Sequence, residues 1–205
     1  KRLIFVSTCS NYGIGEKKLL SEKAKLKPLS YYSKQKVKIE KLLIKMKKVD
    51  FSTTILRFAT AFGLSPRMRF DLTINHFVKS LIHGETLKLY DPKTSRPYCH
   101  VLDFARAIDK ILSFKKRNID FEIFNVGNNK NNYSKLAMLK LIIRVMGKGN
   151  YKILNVSKDK RNYKVDFSKI KKILNFNTKY DLKYGIKEIV NSLKKNKTTF
   201  KKTAY

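Results

Sequence analysis

The sequence predicts an α/β fold built on a mainly parallel sheet, and three observations carry that reading. Short strand-like runs alternate with helical patterns of 10–20 residues, the signature of strand–helix–strand units. The first run, Arg2 to Ser7 (RLIFVS), is apolar on both faces, as strands buried inside a parallel sheet are. The chain has 205 residues, 42% hydrophobic and 12% aromatic, which is enough for one good core and too apolar for a disordered segment. No apolar run approaches the ~18 residues a membrane span needs.

The elements follow in order. After the opening strand, Ile14 to Leu29 reads as a loop ending at Pro28. Ser30 is a plausible N-cap for a helix running to about Val49. Phe51 to Ala59 (FSTTILRFA) is β-branched and aromatic, hence a strand, and the Gly, Ser and Pro of 63–70 mark a loop. Asp71 to Ile82 is helical, Thr86 to Tyr90 alternates as a strand, and Tyr98 to Leu102 is a further short strand. Asp103 is read as the N-cap of a helix carrying Ala105, Ile108, Ile111 and Leu112. A strand over Glu122–Val126 stops at Gly127, a helix runs from Ser134 to about Met146, and Tyr151–Val156 is a strand. Helices near Ser168–Leu174 and Leu182–Leu193 precede a basic, flexible tail over 194–205. No internal repeat is evident.

A strand buried on both faces needs neighbours at its edges and helices above and below. Here it is the first element, with no lead-in. The sheet is therefore predicted to be incomplete, its N-terminal half lost or supplied by another chain, with loss the favoured reading.

Forty-seven Lys+Arg against 15 Asp+Glu give a formal charge of +32, which invites a nucleic-acid reading. Two features argue against it. Only nine of the basic residues are Arg, the side chain that base readout and forked phosphate contacts favour. The lysines are also spread from Lys17 to Lys202 rather than gathered on one element. A solvated lysine-rich surface is the better reading, and it draws in anionic ligands. Cys9 and Cys99 make no disulfide scaffold, which points to a reducing, cytoplasmic setting.

The chemistry concentrates near the start. From Ser30 the helical stripe Tyr32, Lys36, Ile39, Leu43, Met46 is spaced to face the core, with a lysine where an apolar residue belongs. An ammonium one turn from a phenol favours phenolate, and a Tyr that exchanges its proton near neutral pH is a general acid/base for hydroxyl–ketone interconversion. Ser7, Thr8, Cys9 and Ser10 stand at the carboxyl end of the first strand, where open α/β sheets bind ligands.

In order along the chain, these segments resemble the NAD-dependent epimerase/dehydratases, the extended short-chain dehydrogenases that act on nucleotide sugars. Phe5 to Gly13 (FVSTCSNYG) is similar to that family's strand ending in Ser-[Ser/Thr]-x-x-x-Tyr-Gly, and Pro28 to Lys36 (PLSYYSKQK) to the segment holding its catalytic Tyr and Lys. The resemblance implies Thr8, Tyr32 and Lys36 as the catalytic residues, with Ser7, Tyr32, Lys36 and Phe58 on the cofactor. Leu56 to Gly63 (LRFATAFG) is similar to the family's Leu-Arg-x-x-Asn-x-x-Gly, with Thr60 in place of the Asn that touches the sugar nucleotide. Ser65–Leu72 (SPRMRFDL) resembles the substrate loop of one branch, bringing Arg67 and Arg69 to the substrate. Ser95–Asp103 (SRPYCHVLD) resembles the segment whose Arg, here Arg96, meets the substrate diphosphate. Asn125–Gly127 and Lys160–Tyr163 also have family counterparts.

The implied fold is an incomplete Rossmann-like parallel sheet. Residues 1–63, with 96–128 returning to them, belong to that sheet, and 64–95 with 129–193 form a small α/β substrate-binding region. The implied cofactor is NAD or NADP and the implied partner a nucleotide-diphosphate sugar, with homodimerisation common in the family. The dehydratase branch carries Asp-Glu after the Thr. Cys9 and Ser10 stand there, so the resemblance implies an epimerase or reductase. The Gly-x-x-Gly-x-x-Gly turn that seats the cofactor pyrophosphate is absent from the sequence. By itself the chain is expected to bind the dinucleotide poorly. The alternative is an inactive remnant or a basic module for nucleic acid or an acidic partner. His76, His83 and His100 are too scattered for a metal site, and Cys9 lacks a paired His for nucleophilic catalysis.

Overall fold

The computed structural model describes residues 1–15, 18–46, 51–115, 119–157 and 159–195. Its main sheet is parallel, in the order β1 (Arg2–Thr8), β2 (Ser52–Phe58), β6 (Glu122–Val126). The register sets Arg2 opposite Ser52 and Thr8 opposite Phe58, and then Phe58 opposite Val126. All three strands thus end level with one another. The two-faced burial predicted for the first strand falls instead to β2, whose seven residues are all buried. β1 pairs with β2 alone among the described strands, and its Leu3 and Val6 are 38% and 46% exposed.

Two smaller sheets complete the frame. β3 (Thr60–Phe62) runs parallel to β5 (Ser95–His100), which pairs antiparallel with β7 (Asn132–Ser134), and β4 (Leu87–Tyr90) runs parallel to β8 (Tyr151–Leu154). β5 begins three residues before the predicted Tyr98. The short β3 and β7 carry too few residues for a period to show in sequence.

The helices are α1 (Tyr31–Lys45), α2 (Thr73–Ile82), α3 (Val101–Ser113), α4 (Lys135–Met146), α5 (Ser168–Leu174) and α6 (Leu182–Lys195). Ser30 caps α1 as expected, accepting from the Ser33 amide while Ser33 returns a bond to Ser30. The helix ends at Lys45. The predicted extension to Val49 falls on 47–50, outside the described residues. Its buried face is Ser33, Val37, Glu40 and Leu43, one position round from the predicted stripe, so Tyr32 is 55% and Ile39 38% exposed. The predicted tail boundary also shifts: Lys194 and Lys195 belong to α6, and 196–205 lie outside the described residues.

Asp103 is not the N-cap of α3. His100 holds that position, its Nδ1 accepting from the Leu102 amide. Asp103 is buried in the first turn, where its carboxylate accepts from the amides of Lys179 and Tyr180 and from Arg106. It fastens the approach to α6 rather than the start of its own helix. The helix starts three residues earlier than the sequence suggested; Ala107 and Ile111 face inward and Leu112 is 55% exposed.

The largest apolar cluster lies between α2, α4, α6 and the β4–β8 pair, with Ile74, Val78, Leu81, Met138, Ile142, Ile186 and Ile189 at its centre. His100 sits at its edge, fully buried, edge-on to Phe62 at 5.2 Å between ring centroids. Because Nδ1 accepts, Nε2 carries the proton, and it donates to Glu188 at 3.0 Å. The same carboxylate accepts from the Leu64 amide at 2.9 Å, pinning the start of the 64–72 loop to α6.

Gly185 makes this closeness feasible, since a Cβ there would meet Phe62 at 2.5 Å and His100 at 2.8 Å. We expect Gly185→Ala to destabilise the protein. The ~1 kcal/mol of helix propensity gained is outweighed by overpacking two buried rings, typically ~1–3 kcal/mol. Thermal unfolding followed by circular dichroism should show a midpoint lowered by a few degrees, and a raised midpoint would contradict this packing.

Candidate active site

The carboxyl ends of β1 and β2 open into a cleft of about 500 Å³ lined by residues from eight separate stretches of sequence. Among its lining residues are Ser7, Thr8 and Ser10 from the end of β1, Tyr32 from α1, and Phe58 and Thr60 from β2 and β3. Arg69 and Asp71 come from the loop before α2, with Arg96 from β5, Lys135 from α4, and Asp159, Arg161 and Tyr163 from the segment after β8.

Behind the cleft lies a buried polar network. Glu40 on α1 and Arg57 in the middle sheet strand are 2% and 4% exposed and form a forked ion pair, with contacts of 2.7, 3.1 and 3.2 Å. Ser7 donates to the same carboxylate at 2.5 Å and the Asn11 amide at 2.9 Å. Arg57 also donates to the Tyr12 hydroxyl, which in turn donates to Asn125 on β6 at 2.7 Å. Burial pushes the Tyr12 phenol well above its usual range, so it stays a neutral donor despite the neighbouring guanidinium. α1 is thereby fastened to all three strands of the main sheet.

That attachment sets the first two turns of α1. Lys36 donates to the Val6 carbonyl at 2.7 Å, with its ammonium 4.8 Å from the Phe5 ring and 5.7 Å from the Tyr32 ring. Lys36 is not among the residues lining the cleft. The phenol of Tyr32 does not show the lowered pKa that a Tyr–Lys turn predicts. Partial burial raises it, and the charge that opposes the rise is Arg69. Thr8 accepts from the Ser10 amide at 3.1 Å, capping a one-turn helix over Cys9–Tyr12, and its hydroxyl keeps a proton to donate.

The other predicted site residues divide. Phe58 lines the cleft, packed on Phe104 with ring centroids 4.1 Å apart, and Thr60 lines it next to β5. The Ser7 hydroxyl is committed to Glu40, so what Ser7 offers a ligand is its place on the wall. Arg69 is in the cleft, held by Asp71, whose carboxyl the Arg69 guanidinium keeps below the usual range. Arg67 is exposed and is not among the residues lining the cleft. Arg96 is in the cleft but already engaged, donating to Asp159 at 2.9 Å and to the Arg161 carbonyl. Cys9 is buried and donates to the Arg57 carbonyl; desolvation drives its thiol pKa far up, which removes it as nucleophile or acid/base.

Sequence reasoning missed Glu40, Asp159, Arg161 as a cleft residue, Lys135 and Tyr163. Arg161 grips Asp159 at 2.9 Å through both Nε and Nη2. Burial opposes ionisation of Asp159, yet the Arg161 bonds and the Arg96 charge bring its pKa down to about 2. The signal for Glu40 was present: it is a lone acid at the third position of a Ser33–Val37–Glu40 stripe. Nothing local marks Lys135 or Asp159.

Residues 1–127 match the model of the NAD dependent epimerase/dehydratase family. The UDP-glucuronate 4-epimerase of Thermodesulfobacterium geofontis is 30% identical over 201 residues, 96% of this chain and 60% of that protein. The UDP-glucose 4-epimerase of Bacillus subtilis is 25% identical over 72% of this chain and 49% of its own length. Among solved structures, the UDP-glucuronic acid 4-epimerase of Bacillus cereus, bound to UDP-glucuronic acid and NAD, superposes with a TM-score of 0.83 at 27% identity. It is matched over 95% of this chain and 62% of that one. The dTDP-glucose 4,6-dehydratase of Bacillus anthracis with NAD gives 0.85 at 26%, over 98% of this chain and 64% of that one. The chain thus spans about 60% of the length of the relatives it matches over most of its own.

Two outcomes are expected of this site. Arg57→Met leaves the Glu40 carboxylate buried without its cation and should cost ~3–5 kcal/mol of unfolding free energy in urea melts, against under ~1 kcal/mol for an exposed pair. A loss near the exposed-pair value would show that the network is not the fastening it resembles. Asp159 has a depressed pKa, so its contribution to stability is present above the ordinary carboxylate pKa near 4 and is lost as pH falls towards about 2. Asp159→Asn should therefore lose less stability than wild type between pH 5 and pH 2, and identical slopes would contradict the assignment.

Proposed function

The chain belongs to the NAD-dependent epimerase/dehydratase family, and from that premise we propose that it forms the substrate-binding and proton-handling part of a nucleotide-sugar 4-epimerase. The observation that carries this reading is a single cleft at the strand ends that presents Thr8 and the Tyr32 phenol, with the Arg96–Asp159–Arg161 cluster on the same lining. Hydroxyl chemistry on a sugar needs the first group. A nucleoside diphosphate needs the second.

Tyr32 and Phe58 on the cleft lining, with Lys36 fixed on the Val6 carbonyl beside Tyr32, suit the nicotinamide end of NAD. NAD supplies, when bound, the hydride acceptor and donor that interconverts a 4-hydroxyl and a 4-ketone. The glycine turn that seats a dinucleotide pyrophosphate is not in the sequence.

The chain's own work is to hold the sugar and manage one proton. Thr8 can donate its hydroxyl proton to the sugar oxygen while its oxygen stays fixed by the Ser10 amide. Tyr32 keeps its proton in the ligand-free chain, because partial burial raises its pKa. To accept the proton of a 4-hydroxyl it needs positive charge nearby, and Arg69 and Lys36 are the two cations in place. Filling the cleft with sugar excludes water and strengthens both. Arg96 and Arg161 hold the diphosphate, drawn in by the chain's net charge of +32. Cys9 is buried and Ser10 is no acid, which favours epimerisation over loss of water. The uronate and hexose 4-epimerases among the relatives suggest a UDP-linked hexose or hexuronate.

In a preparation active with NAD, Tyr32→Phe should lower kcat for 4-epimerisation by ~10²-fold or more while leaving UDP affinity unchanged. Steady-state kinetics with UDP-glucuronate and UDP-glucose check this. Turnover equal to wild type would remove Tyr32 from the chemistry.

A further inference from the structure

The cleft holds more positive charge than its two cation–carboxylate groupings use. Arg69, Arg96, Lys135 and Arg161 line it against Asp71 and Asp159, leaving a surplus of two positive charges. Arg69 is matched by Asp71, and Arg96 and Arg161 share Asp159. The ion pair of Lys135 is with a carboxylate behind the lining, while the Asp159 charge acts on it from the cleft wall. The paired carboxylate is Asp91, at 3.7 Å, and the Lys135 Nζ donates to the Tyr90 carbonyl at 3.3 Å. That Asp91 oxygen also accepts from the Asp159 amide at 3.0 Å, which ties the lysine to the arginine cluster through a shared anion.

The placement of this lysine is costly. It is the first residue of α4, directly after the N-cap Ser134, where the aligned amides of the helix disfavour a cation. Its side chain is only 15% exposed. Desolvation also pulls the ammonium pKa down, although Asp159 and Asp91 resist the shift. A surface lysine has no reason to sit there, in a chain with solvent available to so many others. An anion in the cleft offsets all of these costs at once.

We propose that Lys135 is a phosphate-binding residue of the cleft, completing with Arg96 and Arg161 a three-cation seat for the diphosphate of the sugar nucleotide. The inference rests on the reading of the cleft as a nucleotide-sugar site and adds the residue that reads its charge. The Asp91 and Asp159 carboxylates hold the three cations in place in the ligand-free chain. An arginine presents a fork, whereas this lysine contributes a compact point charge with rotatable donors, suited to whichever phosphate oxygen the fork leaves free.

Calorimetric titration of the chain with UDP and, separately, with uridine tests this at 50 and 200 mM salt, with no dinucleotide present. The wild type is expected to bind UDP with a strong salt dependence. Lys135→Met should weaken UDP by about tenfold or more and flatten that dependence, while uridine binding stays as in wild type. UDP affinity within twofold of wild type in Lys135→Met, or an equal loss for UDP and uridine, overturns the role of Lys135 and leaves the cleft's assignment standing. Absence of UDP binding by the wild type overturns the nucleotide-sugar reading itself, and the inference with it.

Discussion

Everything at the site is hung on the buried ion pair between Glu40 and Arg57. One partner sits on α1, three turns into the helix, and the other in the fully buried strand β2. Two charges withdrawn from water are tolerated only where their remaining donors and acceptors are satisfied, and here Ser7, Asn11 and Tyr12 satisfy most of them. The geometric consequence matters more than the energy. Glu40 lies one turn beyond Lys36 and two beyond Tyr32, so fixing its carboxylate against β1 and β2 fixes the azimuth of the whole first half of the helix. Lys36 then reaches the Val6 carbonyl, and Tyr32 is left partly exposed over the strand ends.

The cleft opposite this fastening is organised differently. Its back wall is rigid, made of strand ends and a capped one-turn helix. Its far wall is a set of charges held by one another, with Asp159 bonded to two arginines. An internal carboxylate there keeps the arginines oriented in the absence of ligand. Its strongly depressed pKa means it remains an anion at any physiological pH, so an incoming diphosphate must share the two arginines with it or displace it. That competition sets a natural place for additional positive charge in the same wall.

The order of elements was legible in the sequence because propensity, caps and punctuation agreed along most of it. Ser30 and Ser134 cap where they were expected to, and the strand over Glu122–Val126 begins and ends where Gly127 and the preceding polar run put it. Misreadings came where tertiary contacts outvote local pattern. The buried face of α1 lies one position round from the predicted stripe because Glu40, paired across the sheet with Arg57, turns inward. Asp103 looked like a cap and is instead a buried acceptor for amides some 76 residues away. At the site, the Tyr–Lys turn and the strand-end hydroxyls were visible as motifs. The charge cluster of Lys135, Asp159 and Arg161 was not, since it is assembled from two distant stretches that share nothing in sequence. In the ligand-free chain, partial burial outweighs the nearby positive charge at Tyr32, so its phenol lies above rather than below its usual range.

The central claim is that the strand-end cleft, and no other surface of this strongly basic chain, receives a nucleotide sugar. Backbone amide NMR of the isotopically labelled chain titrated with UDP-glucuronate tests it most directly, because every region reports at once. Saturable shifts confined to Thr8, Ser10, Tyr32, Thr60, Arg69, Lys135 and Arg161 and their neighbours are expected. Shifts scattered over the lysine-rich exterior, or gathered in the smaller hollow between Gly127–Lys130 and Lys171, would contradict it.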